Sequence, residues 1–96
     1  MILIIDDVQL NDEKVFFPYI SNAFGLDTDG IKDLDKLYEV VSEYKDPLDV
    51  IIHDYDEVAE GSRKFAKKVA SVFQDSKLVN KKIKLSFLQN EENTVK

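Results

Sequence analysis

Asp35, Glu39 and Ser42 are spaced four and three residues apart, so on a helix they stand one above the next on a single face. Tyr38 and Tyr44 flank that line. Carboxylates fixed on a helix beside aromatic rings suit the binding of a cationic surface, because their charge is already in place when the partner arrives. Nothing comparable points to covalent chemistry. There is no cysteine to act as a thiol nucleophile or thiolate ligand. The three glycines build neither a phosphate-cradling loop nor a nucleophile elbow. His53, the only histidine, ends an apolar segment next to Asp54. Such a pair could bind metal or carry a proton. Neighbouring strand residues point to opposite faces, however, so the two side chains are expected not to converge. No catalytic residue, cofactor or metal ligand is assigned.

The helix carrying these groups also needs a side for folding. Leu34, Leu37 and Val41 recur at i, i+3 and i+7 and supply it. The expected helix runs from about Lys32 to Glu43, with Asp33 near its positive end. Asp27-Thr28-Asp29-Gly30 forms a turn ahead of it. Its acids invite a calcium loop, but counting from Asp27 places Lys32 where the glycine must stand and Tyr38 where the glutamate must stand. Calcium is therefore not expected.

The remaining elements position this helix. Met1 to Ile5 is a short aliphatic run that reads as a strand buried on both faces. Val8 to Leu10 is expected to be extended or turning. Asn11 or Asp12 can cap a helix, but Pro18 lacks an N–H and disrupts a helix interior. Its ordered part is therefore expected from Phe17 or Pro18 to about Phe24, stopped by Gly25. Leu48 to His53 is a second buried strand. Asp54 to Glu57 leads into a short helical turn through Val58 and Ala59. Ser62 then caps a helix over Arg63 to Leu78, with Phe65, Val69, Val72 and Phe73 inward and Lys64, Lys67, Lys68 and Gln74 outward. Ile83 to Leu88 is a third strand, and Gln89 to Lys96 is a polar, frayed tail. The order predicts one α/β domain over residues 1–88, small and three-layer-like. A three-stranded parallel sheet would carry three to four helices, with right-handed crossovers placing them on the same side and one sheet face partly open.

Charge is divided along the chain. Asp27 to Glu57 holds 11 acidic and 3 basic residues, whereas Glu60 to Lys84 holds 2 acidic and 8 basic ones. The acidic middle repels nucleic acid and attracts basic partners. The amino-terminal MILIIDD is apolar for only five residues and lacks a basic lead, so neither a signal peptide nor a membrane-spanning segment is expected. The absence of cysteine fits a cytoplasmic setting.

Two resemblances follow from the motifs. ILIIDD and DVIIHDY resemble the acidic pocket of a response-regulator receiver domain, which implies magnesium at Asp6 and Asp7 and phosphate on Asp54. That pattern needs two strands after the aspartate, and only one is evident. The stronger resemblance is to the barstar family of ribonuclease inhibitors. The family's Gly-x-Asn-Leu-Asp-x-Leu-Trp-Asp segment is matched by Gly30 and then Asp33-Leu34-Asp35-Lys36-Leu37-Tyr38-Glu39, with one extra residue after the glycine. Leu34, Asp35 and Leu37 are identical to it. Tyr44, Pro47-Leu48 and the segment Val72 to Lys77 continue the likeness. The resemblance implies a monomer without catalysis, whose helix and preceding loop plug a basic microbial ribonuclease or related toxin. Glu39 would be the central anion, with Asp35 and Asp75 beside it and Tyr38 and Tyr44 as contact aromatics. Asp27, Thr28, Asp29 and Gly30 would cover the enzyme's base-binding side. A barstar-fold immunity protein for a toxin other than a ribonuclease is the alternative.

Overall fold

The computed structural model describes residues 1–88. The order is β1 (Ile2–Ile5), α1 (Asp7–Leu10), α2 (Glu13–Ala23), α3 (Leu34–Ser42), β2 (Leu48–His53), two single 3-10 turns (Tyr55–Glu57 and Glu60–Ser62), α4 (Arg63–Val79) and β3 (Ile83–Leu88). The strands form one parallel sheet in the order β1-β2-β3. Ile2 lies opposite Asp49 and Ile5 opposite Ile52, while Leu48 to His53 run beside Ile83 to Leu88. The three-stranded parallel sheet with four helices is therefore as expected. The polar segment 89–96 lies outside the described residues.

Helices cover one face of this sheet. Leu3, Ile5, Leu48, Val50, Ile52 and Ile83 join Leu10, Phe16, Ile20, Leu37, Val41, Val69 and Phe73 in one buried cluster. The opposite face is open, with Ile2 67% and Ile4 49% exposed. The amino-terminal run is thus not buried on both faces. With the helices gathered on one side of the three described strands, no described element covers the alternate side chains of β1.

Two helices differ from expectation for identifiable local reasons. Residues Asp7–Leu10 are helical, not extended, because Asp6 and Gln9 make a reciprocal cap. The Asp6 carboxylate accepts from Val8 N at 2.9 Å, and Gln9 Oε1 accepts from Asp6 N at 2.8 Å. Helix α2 begins at Glu13 and carries Pro18 in its interior. Asp12 caps it, accepting from Lys14 N at 2.9 Å. The hydrogen bond lost at Pro18 is outweighed by complete burial of Phe16 and Ile20 and by edge-to-face packing among Phe16, Phe17 and Phe65.

Candidate protein-binding site

Helix α3 is held rigidly from its inner side. Leu37 and Val41 are fully buried, and Leu34 packs half-buried against the core. Asp33 caps the helix: its carboxylate accepts from Lys36 N at 2.8 Å and its carbonyl from Leu37 N at 3.1 Å. The other end is tied to α4. Asn80 Nδ2 donates to the carbonyl of Val41 (3.2 Å), which also accepts from Tyr44 N, and to that of Tyr44 (2.9 Å), just past the helix end. Ser42 Oγ donates to Ser76 Oγ at 3.5 Å, and Ser76 Oγ donates in turn to Val72 O at 2.7 Å.

The outer side of the helix is polar and open. Asp35, Tyr38 and Glu39 are exposed. Lys36 Nζ lies 3.2 Å from Glu39 Oε1, with both side chains about half in solvent. Such a pair is screened and stabilises little, so Glu39 can exchange it for a partner's cation at small cost. Asp75 is exposed on α4, one residue from Ser76, on the turn of α4 that meets the last turn of α3. Ser42 is half-buried in that junction. Tyr44 is also half-buried. Its ring packs edge-to-face on Phe24 with centroids 5.5 Å apart, and its hydroxyl lies 3.7 Å from Met1 Sδ. It braces the base of the helix instead of standing free beside Tyr38.

The preceding loop is pinned at both ends. Gly25 ends α2 in a left-handed conformation, φ 75°, that few residues other than glycine adopt readily. Gly30 N donates to Asp27 O at 2.8 Å, closing a turn with Asp27, Thr28 and Asp29 exposed at its tip. A Cβ on Gly30 would lie 2.7 Å from Leu26 Cβ, so the close approach requires glycine. Beyond the turn Ile31 is fully buried, and its N–H donates to the buried Ser21 Oγ at 2.9 Å. The residue pattern predicts no such anchoring role for Ser21 or Ile31. The signal available was Ile31 itself, an isolated apolar residue between two acidic segments.

The carboxyl end of the sheet collects a second group. Asp54 leaves β2 at φ 57° and ψ 39°, and this left-handed step swings its carboxylate back. Asp54 Oδ2 then lies 3.3 Å from His53 Nδ1, so the two side chains do converge, contrary to the alternation of a continuing strand. Asp6 spends its carboxylate on the cap of α1. Ser62 does not cap α4 with its side chain; its hydroxyl donates to Asn11 O at 2.9 Å. Among the described residues no group of three or more His, Cys, Asp or Glu side chains is placed to hold a metal ion. No described helix is long and apolar enough to cross a membrane. No family model matches this sequence, and no curated protein matches it.

Proposed function

We propose that this chain is a barstar-like, non-catalytic inhibitor that acts in the cytoplasm and blocks a cationic ribonuclease with α3 and the loop before it. One observation carries the proposal. Helix α3 is fixed by Leu37, Val41, the Asp33 cap and Asn80, yet turns Asp35, Tyr38 and Glu39 outward. Two carboxylates that need no rearrangement can take the places of RNA phosphates in a cleft lined by arginine and lysine. Glu39 occupies the position of the family's aspartate and reaches one methylene further. The fitting enzyme therefore has a deeper or more recessed cation at that point. Asp75, on the turn of α4 that meets the last turn of α3, and the loop tip at Asp27 to Asp29, ahead of its first turn, extend the acidic surface. Negative charge on this side attracts a basic enzyme over distances near the Debye length, about 10 Å at moderate salt.

The test is titration of cationic microbial ribonucleases with this protein, following RNA cleavage at low and moderate salt. Stoichiometric inhibition that weakens with salt is expected. Full cleavage at equimolar protein for every enzyme tried would reject the ribonuclease as partner. Capture of a different basic toxin through the same helix would move the assignment to that toxin.

A further inference from the structure

A cleft of about 520 Å³ opens at the amino-terminal end of α3, between it, the start of α2 and the first half of α4. Its inner surface is apolar: Phe17, Leu34 and Phe65 are each half-buried and packed on the core. Its rim is divided by charge. Asp33 and Asp35 stand on the α3 side, and Lys64 and Lys68 on the α4 side, one helical turn apart. Lys32 and Glu13 add one charge of each sign. Asp35, Lys64 and Lys68 are exposed and make no ion pair among the described residues. The cleft is continuous with the face assigned to the partner, since Asp35 belongs to both.

We propose that this cleft is a second contact point for the same ribonuclease. It would receive a loop bearing an apolar side chain with a basic residue on one flank and an acidic residue on the other. The inference rests on the inhibitor proposal and specifies the partner's chemistry at its edge. The apolar residue fills the Phe17–Phe65 floor, the basic flank meets Asp35, and the acidic flank meets Lys64 and Lys68. A uniformly basic loop would meet repulsion along the α4 side, so the divided rim fixes the register of docking and not only its strength.

Simple charge attraction makes the opposite prediction. Replacing lysines by glutamates makes the inhibitor more acidic, and a cationic enzyme should then bind it more tightly. The experiment compares the inhibition constants of the full chain and of a Lys64→Glu, Lys68→Glu double variant against a cationic ribonuclease. Lys67→Glu, exposed on α4 and outside the cleft, is the control. Thermal unfolding checks the folding of each variant, with Lys64→Ala, Lys68→Ala used in place of any variant that fails to fold. The double variant is expected to bind at least about tenfold more weakly, whereas Lys67→Glu binds as tightly as the original or slightly more so. Equal or tighter binding by the double variant would overturn the cleft assignment and leave the inhibitor proposal intact. Absence of inhibition by the unaltered chain would overturn both.

Discussion

The loop that precedes α3 depends on one buried hydroxyl, and its removal has a calculable consequence. Ser21 is fully buried. Its Oγ accepts from Ile31 N at 2.9 Å and donates to Phe17 O at 2.8 Å. Ser21→Ala leaves the Ile31 N–H inside the protein without its acceptor. An unsatisfied buried donor of this kind costs about 1–3 kcal/mol, so a loss of about 2 kcal/mol is expected. Against a total of about 5–15 kcal/mol that is a large fraction. It corresponds to a fall in Tm of about 10 °C for a domain of this size. Urea unfolding followed by far-UV circular dichroism gives the stability change, and hydrogen exchange at the Ile31 amide locates it. The amide should exchange much faster in the variant. A loss below about 0.5 kcal/mol, with Ile31 still protected, would refute the idea that Ser21 holds the loop, because the penalty for a buried orphan donor could not then be so small.

Other substitutions probe the same scaffold. Gly30→Ala sets a Cβ against Leu26 Cβ at 2.7 Å and Asp27 O at 3.1 Å. It should destabilise by about 1–3 kcal/mol, read from thermal unfolding, and weaken inhibition by displacing the loop tip. Asn80→Ala releases the Val41 and Tyr44 carbonyls from their shared donor. A loss of about 1–2 kcal/mol is expected, with faster hydrogen exchange in the last turn of α3.

The parallel sheet and both amphipathic helices were legible because their signals are strong and redundant. Leu37 and Val41 repeat at helical spacing, as do Val69 and Phe73, and the aliphatic runs around Ile4, Ile51 and Leu85 are bounded by polar breaks. What was not legible depends on a competition decided by tertiary contacts. Pro18 argues against a helix across Glu13–Ala23, and only the burial of Phe16 and Ile20 shows that the argument loses. The cap over Asp7–Leu10 is present in the sequence as Asp6 and Gln9, but a helix of four residues is too short to show a helical period beside the aliphatic run it follows. Asp54 is a case of backbone conformation overriding a periodicity rule. A single left-handed residue turns its side chain toward His53. Exposure of Asp35, Tyr38 and Glu39 followed directly from placing Leu37 and Val41 inward. The half-burial of Tyr44 did not follow, since it needs Phe24 and Met1, which are remote in the chain.

The central claim is that the outward carboxylates of α3 block a cationic active site. The most direct measurement is the inhibition constant for a cationic ribonuclease with the original chain and with an Asp35→Ala, Glu39→Ala double variant at two salt concentrations. Both side chains are exposed and serve no buried contact, and the Lys36–Glu39 pair lies at the surface. Folding stability should therefore change by less than about 1 kcal/mol. Inhibition should weaken by at least about a hundredfold, as expected where charge pairs are desolvated at the centre of an interface, and lose most of its salt dependence. A double variant that inhibits as strongly as the original, with the same dependence on salt, would contradict the account.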